Sequence, residues 1–560
     1  MRAMPRRPRT VAASRTGSVV ASRSRVATIW RRTAAGLATL AVGILAACMS
    51  PPPATPDPTT PPVTPTERSP EQIAADLAAA MSPEELVGQV LMPDVSMPTD
   101  VSAAVTEVQQ YGLGGVIIMG TATAAEVRAL TDALQSAAPT VDGRRLPLLI
   151  SVDQEYGFVR RISDLVQLPA AMAFGAANRP DLTEAAWSAV GEELAAIGIN
   201  VNNAPVADVI GPAGNLVIGS RSYGGSVDVV TSQVEAVVAG LNSAGVAAVV
   251  KHFPGHGNTT VDSHTDLPVL TQSRAELDAT DIAPFRAGIA AGVQLVMVGH
   301  LDVRSVDPGV PATFSSKVLV DLLRGELGFT GVVVSDALNM GGAAHESVAE
   351  QAVQAILAGN DLLLMPPSVA DARAGLLDAL QSGRLSRQRL EESVTRILTL
   401  KLSLTDRDQP DMSVVNSPAH QAAAAAVAAA GITVLSGPCS GPLVSGPVQI
   451  TTSAGRAQQA AWLTESLVAA GVTVVPSGGN RIHLVGYGDG PGDLASGAAV
   501  TVAMDTPYVL AAADSPVKVA TYSSTRAAMG ALADVIAGRA SAPGRSPVPV
   551  TGLPASACAA

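Results

Sequence analysis

The segment 251–268 holds the densest set of groups that could carry out chemistry. It reads KHFPGHGNTTVDSHTDLP and combines one lysine, three histidines and two aspartates with two glycines. An apolar run at 246–250 leads straight into it, so we expect Lys251 and His252 to lie where a buried strand ends and a loop begins. Barrel enzymes carry their catalytic groups at that end of their strands. A polar surface loop is the alternative, which so many charged and imidazole groups disfavour.

Asp262 and His264 form the second informative unit in this segment. On an extended loop, residues two apart project to the same side, so Asp262 can hydrogen-bond and orient the imidazole of His264. A histidine paired in this way can give and take a proton near neutral pH.

Asp336 ends an apolar strand in the segment VVVSDALNM. A carboxylate there cannot stay buried without a partner, so we expect it to face a polar cleft. It could be a nucleophile, a metal ligand or a salt-bridge partner. Lys251, Arg161 and Arg221 could keep it ionised, which suits a nucleophile.

A metal site is the weaker interpretation of these side chains, because the sequence has no HExxH motif and no cysteine-rich spacing. We therefore expect no metal and no cofactor. The residues that could otherwise form such a site are Asp262, His264, His252 and His256.

From residue 71 to 404 the chain alternates short apolar runs with amphipathic segments, which is typical of repeated strand–helix units. Eight parallel strands over this length predict an α/β fold of the TIM-type (β/α)8 barrel class. An open doubly wound sheet is the alternative. The predicted strands are Gly88–Met92, Gly115–Met119, Leu146–Val152, Asn200–Val206, Val246–Val250, Val293–Val298, Gly331–Val334 and Asp361–Met365.

Near residue 414 the composition shifts to Ala, Gly, Val and Ser with few charges, which predicts a linker at 405–415 and a second domain at 416–560. Apolar runs and helix-like segments alternate there, as in a smaller α/β sandwich. It offers few titratable residues at strand ends, so we expect it to pack against the barrel and shape the cleft. The predicted strands are Ile432–Leu435, Val448–Thr451, Ile482–Val485, Ala499–Met504 and Val517–Tyr522.

The first 47 residues carry nine arginines and no acidic residue, and they end in an apolar run, which indicates a signal peptide. The closing Leu-Ala-Ala-Cys resembles the lipobox of bacterial lipoproteins, which implies cleavage before Cys48 and lipidation of its thiol. Residues 48–70, rich in Pro and Thr, would form a tether. We expect an exported chain held on the outer face of the cell membrane by lipid alone. A soluble secreted protein with an incidental Cys48 is the alternative.

Cys439 and Cys558 are the other two cysteines, and in an exported protein we expect them to pair. The formal net charge of −12 argues against nucleic acid as a partner. We expect a monomer.

Several motifs together resemble glycoside hydrolase family 3, in its β-N-acetylglucosaminidase branch. The segment 251–268 is similar to that branch's KHFPGHG(D)TxxDSHxxLP signature, and GVVVSDALNM resembles its nucleophile segment. VDQEYGFVRR, IGSRSYG and PATFSSKVLVDLLRGELGFTG match in the same order. The resemblance covers the whole predicted barrel and extends to the second domain.

The resemblance implies a retaining enzyme that removes terminal β-linked N-acetylglucosamine (GlcNAc). Asp336 would form a covalent glycosyl-enzyme, and His264, tuned by Asp262, would be the acid/base. The residues implied to bind the terminal sugar, in the −1 subsite, are Asp153, Arg161, Arg221, Lys251 and His252.

Where the branch usually shows EGGRV, this chain has Glu155-Tyr156-Gly157-Phe158-Val159, and Asn258 stands in place of an aspartate. The two added aromatic residues should reshape the cleft rim, so the sequence does not predict the aglycone preference. Cell-wall muropeptide fragments are the favoured substrates for a lipoprotein.

Three alternatives to this hydrolase remain open. Inorganic phosphate could replace water as acceptor, because an imidazole does not repel phosphate as a second carboxylate would, and the product would be GlcNAc 1-phosphate. A broad, β-glucosidase-like specificity is a second. A lipoprotein that binds glycans without cleaving them is the third.

Overall fold

A curled sheet of seven parallel strands organises the first part of the fold, in the order β12-β10-β8-β7-β6-β3-β2. The computed structural model describes residues 68–558, apart from 212–214, 216, 260, 345–346 and 406–407. The strands are β1 Leu91–Met92, β2 Asp94–Met97, β3 Gly115–Gly120, β4 Thr140–Val141, β5 Arg144–Arg145, β6 Leu149–Val152, β7 Val201–Asn202, β8 Ala247–Phe253, β9 Val269–Leu270, β10 Leu295–Val298, β11 Asp302–Val303, β12 Val332–Ser335, β13 Leu363–Leu364, β14 Thr433–Ser436, β15 Val448–Thr452, β16 Asn480–Val485, β17 Val500–Ala503 and β18 Val517–Ala520.

Helices follow most strands of this sheet and cover it. A helix with π-type hydrogen bonds spans Lys317–Glu326. The α-helices are α1 Pro70–Ala80, α2 Pro83–Gln89, α3 Val101–Tyr111, α4 Ala124–Ser136, α5 Ala171–Ala177, α6 Pro180–Ala196, α7 Val227–Ser243, α8 Arg274–Ala279, α9 Ala283–Ala290, α10 Val348–Ala358, α11 Val369–Gln381, α12 Arg387–Ser403, α13 Pro418–Gly431, α14 Ala457–Ala469 and α15 Arg526–Ile536.

Local sequence explains where several helices begin. Ser69, Ser82 and Thr123 each accept a hydrogen bond from the backbone amide three residues later, and that later Gln or Glu side chain accepts one in return. These capping boxes satisfy amides that the first helical turn leaves without partners.

The strands of the sheet are buried on both faces. Every residue of β8 is buried, as are all those of β6, β10 and β12, so their apolar side chains face the helices on one side and the inside of the curled sheet on the other. β10 and β12 pair in register from Leu295 opposite Val332 to Val298 opposite Ser335. The carboxyl ends of these strands therefore lie at one edge.

The two short strands β1 and β13 lie between the ends of this sheet. They pair in parallel, with Leu91 opposite Leu363. Leu362 bridges to Val334 of β12, and the chain runs from β1 directly into β2. Hydrogen bonds thus connect β12 to β1 through β13, and the chain itself connects β1 to β2.

The predicted parallel α/β architecture is confirmed, and each of the eight predicted strand segments contains a strand. Two details differ. β2, which the sequence analysis missed, provides an edge strand of the sheet. β8 continues to Phe253, so Lys251 and His252 lie inside the strand and not in the loop after it.

A second sheet of five strands, in the order β14-β18-β17-β16-β15, forms the last part of the fold. All pairs are parallel except β14 with β18, and each of the five predicted strands is present. α13 packs against α5 and α6 of the first part and against α15 of the second. The described residues form one compact unit, so the division into two domains stays a prediction.

The predicted signal peptide, lipidation at Cys48 and most of the tether lie outside the described residues. Within residues 68–558 as described, no helix has both the length and the apolar character that a membrane crossing requires.

Cys439 and Cys558 form a disulfide with a Cα–Cα distance of 5.0 Å. The bond joins the segment after β14 to the chain's last residues, across 119 positions. The backbone amide of Ala557 also donates to Val434 in β14. Covalent and hydrogen bonds therefore hold the tail against the edge of the second sheet.

We expect Cys558→Ser to lower the free energy of unfolding by about 2–4 kcal/mol, because the bond restricts a long loop in the unfolded chain. Urea denaturation followed by circular dichroism measures this. A thiol reductant should shift the parent protein in the same direction and leave the variant unchanged. A parent whose midpoint does not move on complete reduction would contradict the prediction.

Candidate active site

A cavity of about 660 Å³ opens at the carboxyl ends of the strands. Its polar lining comes from the end of β8, from segments that follow β6, β7 and β12, and from the loop before β9. In parallel sheets these ends share one edge, which is why residues distant in sequence meet there. The polar side chains that line it are Asp153, Glu155, Arg161, Arg221, Lys251, His252, His256, Asp262, Ser263, His264, Asp336 and Asn339.

A chain of buried ion pairs forms part of the cavity wall. Lys251 Nζ donates to Asp153 Oδ1 at 3.1 Å and lies 2.6 Å from Glu155 Oε1. Arg221 donates to both oxygens of Glu155, from Nε at 2.6 Å and from Nη2 at 2.9 Å. Glu155 thereby joins β8 to the short helical turn at Gly219–Arg221, and it sets the positions of two cations.

The same contacts determine the charge of these groups. Burial by itself would raise the pKa of Glu155, but Arg221 and Lys251 outweigh it and hold that pKa well below its usual range. Burial would lower the pKa of Arg221 and of Lys251, and their carboxylate neighbours raise both above the usual values. All three groups therefore stay charged at neutral pH.

Asp208 is a buried carboxylate that orients the imidazole of His252. Its Oδ2 lies 2.7 Å from His252 Nδ1, and its Oδ1 accepts the backbone amide of His256 at 2.7 Å. Burial acts to raise the pKa of Asp208, but the His252 contact and the amide bonds hold it below the usual value. His252 Nε2 is left on the Arg221 side, 3.5 Å from Nη2.

Asp336 follows β12 and is half-buried at the cavity. Its backbone amide donates to Val298, and its Oδ1 accepts from the Ala337 amide at 2.8 Å. Burial acts to raise its pKa, but His252, His300 and the Ala337 amide outweigh burial and hold the pKa of Asp336 below the usual value. An ionised carboxylate at neutral pH is the form a nucleophile needs.

Arg161 lines the cavity beside Asp153. Its Nη2 lies 3.7 Å from Asp153 Oδ2, which is an ion pair but too long for a hydrogen bond. Among the residues that the structure describes, no partner is found for the buried Nε of Arg161. A buried guanidinium donor without a partner is costly unless a ligand or water satisfies it.

Asp262 and His264 form the predicted pair. Asp262 Oδ1 lies 2.7 Å from His264 Nδ1 and also accepts the His264 backbone amide at 2.9 Å. The His264 side chain is 63% exposed, so the imidazole stands at the mouth of the cavity. Groups of metal-ligating side chains with suitable geometry are absent from the part of the chain that the structure describes.

Two backbone contacts attach the loop of this pair to the segment after Asp336. The amides of Gly341 and Gly342 donate to the carbonyl oxygens of His264 and Ser263, at 3.1 and 3.0 Å. A Cβ on Gly341 would lie 2.8 Å from the Thr265 carbonyl oxygen, so the close approach requires glycine. The Asp262–His264 loop and the Asp336 segment are therefore held together.

The structure brings together all the residues predicted to act on or bind a sugar. The sequence analysis missed the part played by Glu155, and it missed Tyr487 of the segment after β16, which also lines the cavity. Only Phe158, of the two aromatic residues predicted at the cleft rim, lies there; Tyr156 is buried against Trp187.

Asn258, the second departure from the branch pattern, lies away from the cavity. Its side chain donates to both oxygens of Asp281, at 3.0 and 3.1 Å. It therefore braces the loop and does not form part of the rim.

Comparison of the sequence with known protein families finds a match that includes the residues of this site. A family model described as the glycosyl hydrolase family 3 N terminal domain matches residues 83–400. The chain belongs to glycosyl hydrolase family 3. Its family 3 match contains every one of the sugar-site residues predicted from the sequence and ends before the second sheet.

Two curated relatives and one solved structure illustrate the similarity. The chain is 35% identical over 372 residues to "Beta-hexosaminidase A" of Pseudoalteromonas piscicida, across 60% of this chain and 61% of that protein. It is 35% identical over 340 residues to "Beta-N-acetylglucosaminidase/beta-glucosidase" of Cellulomonas fimi, across 58% and 59%. The chain thus spans about three fifths of these relatives. A glycoside hydrolase family 3 β-N-acetylglucosaminidase from Paenibacillus sp. str. FPU-7 superimposes with a TM-score of 0.76 at 32% identity, covering 84% of this chain and 99% of that one.

We expect Glu155→Gln to lower the free energy of unfolding by about 3–5 kcal/mol at pH 7, since it leaves two buried cations undercompensated. The folded-state pKa of Glu155 is lowered, so its stabilisation is fully present above its unfolded pKa and is lost as the pH falls through the folded value. The variant should therefore lose less stability on acidification than the parent. Urea denaturation at pH 7 and at about pH 2.5 measures both effects, because most of the range over which Glu155 titrates lies below pH 4.

Glu235→Gln, at an exposed position on α7, is the matched control and should behave like the parent. A Glu155→Gln protein as stable as the parent at pH 7 would show that the cations do not depend on this carboxylate.

Proposed function

We propose that this chain is a retaining, exo-acting β-N-acetylglucosaminidase. One observation carries the proposal: Asp336 and the Asp262–His264 pair line the same cavity as five side chains suited to binding a sugar. The relatives named as β-hexosaminidase and β-N-acetylglucosaminidase support the choice of an N-acetylhexosamine.

In the first step, a carboxylate oxygen of Asp336 attacks the anomeric carbon of the terminal sugar. The bond to the leaving oxygen breaks, and protonated His264 gives that oxygen its proton. The product is a glycosyl ester on Asp336. In the second step, His264 takes a proton from water, which attacks the anomeric carbon and frees Asp336. Two inversions give net retention.

Asp262 has a positioning role in this scheme. By holding Nδ1 of His264 it leaves Nε2 to exchange the proton with the leaving group and then with water. The imidazole replaces the second carboxylate that most retaining glycosidases use.

The −1 subsite would hold the terminal sugar through fixed charges. Arg161 offers its guanidinium, which lines the cavity, and Asp153 offers carboxylate lone pairs beside it. Lys251, Arg221 and His252 are already locked by Glu155 and Asp208, so binding requires little reorganisation. The proposed mechanism needs no metal.

The architecture behind this site is proposed to be the full TIM-type barrel. The β1–β13 pair would supply its eighth strand position and close the seven-stranded sheet. The second sheet would be the α/β sandwich that shapes the cleft. Muropeptide fragments of the cell wall are the proposed natural substrates, and this rests on the lipoprotein prediction.

We expect Asp336→Ala to reduce hydrolysis of an aryl β-N-acetylglucosaminide by at least 10⁴-fold, since no covalent intermediate can form. The fold should be retained, as circular dichroism would verify. Asp321→Ala, an exposed carboxylate on the π-type helix, is the control and should keep full activity. Substantial turnover by Asp336→Ala would remove Asp336 from the nucleophile's role.

Phosphate is the second candidate acceptor, because the exposed acid/base group is an imidazole and no second carboxylate is needed beside Asp336. Mass analysis of the sugar product, with and without millimolar phosphate, decides between the two. We expect free GlcNAc under both conditions. Formation of GlcNAc 1-phosphate with faster turnover would identify a phosphorylase, and equal activity on an aryl β-glucoside would indicate broad specificity.

A further inference from the structure

Two aromatic rings from distant parts of the chain meet at the mouth of the cavity. Phe158 lies in the turn after β6 and Tyr487 in the segment after β16. Their ring centroids are 4.3 Å apart with an interplanar angle of 30°. Both residues line the cavity, and they are 37% and 56% exposed. The pair joins the two sheets at the site entrance.

Within the described chain, both rings remain partly exposed to solvent. The other exposed large apolar residues there, Val261, Val320, Leu357 and Val468, are all aliphatic and do not line the cavity. Aromatic rings gain most by burial against another flat apolar surface, and a contiguous exposed patch at a site entrance marks a ligand surface.

Hydrogen bonds hold the backbone that carries each ring before any ligand arrives. Phe158 lies in a tight turn closed by a backbone bond from Val159 to Tyr156. The Tyr487 segment is fixed by Asp489, whose Oδ2 accepts the Gly486 amide at 2.6 Å. Arg456 donates to the Tyr487 carbonyl oxygen. A surface ordered in advance loses little conformational entropy on binding.

The position of the rings relative to the charged residues identifies what they would contact. Lys251 and His252 are nearly inaccessible at the cavity floor, whereas His264 is exposed at the mouth. In the proposed exo-acting mechanism the terminal sugar occupies the floor, and the leaving group passes out through the mouth. The part of a glycan beyond the cleaved bond therefore meets the rim.

We propose that Phe158 and Tyr487 form the leaving-group subsite and bind the second pyranose ring of a β-linked glycan by stacking. This inference rests on the proposed function for the orientation of the glycan. The apolar face of a pyranose, made of axial C–H groups, matches an exposed aromatic ring in shape and polarity. The second sheet thus supplies a specificity residue to a site built on the first.

The open space at the cavity mouth continues beyond the pair. A second cavity of about 280 Å³ adjoins it, and Phe158 and Tyr487 line both cavities. Arg160, Gln459 and Ser524 line the second one. Their side chains can donate to sugar hydroxyls, so the rim continues into a polar groove between the two sheets.

Calorimetric titration of the Asp336→Ala protein tests the subsite without turnover. The probes are the β-1,4-linked disaccharide of GlcNAc and GlcNAc itself. We expect the disaccharide to bind more tightly than the monosaccharide. Adding Tyr487→Ala or Phe158→Ala should weaken disaccharide binding about three- to tenfold and change monosaccharide binding less than about twofold.

Two further variants serve as controls. Tyr487→Phe keeps the ring and should keep the disaccharide preference, and Val468→Ala, at an exposed site outside the cavity, should have no effect. Disaccharide binding no tighter than monosaccharide binding, or equal losses for both ligands in the alanine variants, would overturn the proposal.

The outcome for the proposed function is read separately, from turnover by the parent protein. Preference for the disaccharide in a parent without hydrolase or phosphorylase activity would sink the proposed reaction and leave the subsite standing. If the parent protein is active but neither alanine variant changes disaccharide binding, the proposed reaction stands and the proposed subsite is overturned.

Discussion

The buried carboxylate of Glu155 is the constraint on which the candidate active site of this fold depends. It binds Lys251 and Arg221 at once, so one anion fixes a strand residue and a residue of a separate helical turn. Removing these charges from water is costly, and the contacts recover that cost only while all three groups stay in place. The arrangement therefore favours a single geometry for the cavity floor, on which Asp153 and His252 in turn rely.

The second sheet completes the site that the first sheet organises. Tyr487 reaches the cavity from the segment after β16, and Asp505, after β17, accepts a hydrogen bond from Ser220 beside Arg221. The Gly225 amide donates to Pro547 in the C-terminal tail. Contacts from three separate segments of the last part of the chain thus bear on the helical turn and the rim, so neither is defined by the first sheet alone.

Strand positions and the motif at 251–268 could be predicted because apolar runs and residue spacing are local properties of the sequence. The same reasoning located Asp336 at a strand end and paired Asp262 with His264. The role of Glu155 could not be predicted, because it depends on two cations that are distant in sequence. The position of Tyr487 at the cavity could not be predicted for a similar reason, since nothing in its own segment indicates that it contacts Phe158. The boundary of β8 was wrong by three residues because polar Lys251 and His252 do not look like strand interior, although buried ion pairs satisfy them there.

The disulfide between Cys439 and Cys558 makes the state of the fold depend on its redox surroundings. Thiols stay reduced in most cytosolic compartments and pair in oxidising ones. The tail that this bond secures includes Pro547, whose carbonyl contacts Gly225. The reduced chain would therefore keep its candidate active-site groups but have a less firmly attached tail. Oxidation of this one cysteine pair would then complete the attachment of the tail, so protein prepared in a reducing cytoplasm is a different starting material from oxidised protein.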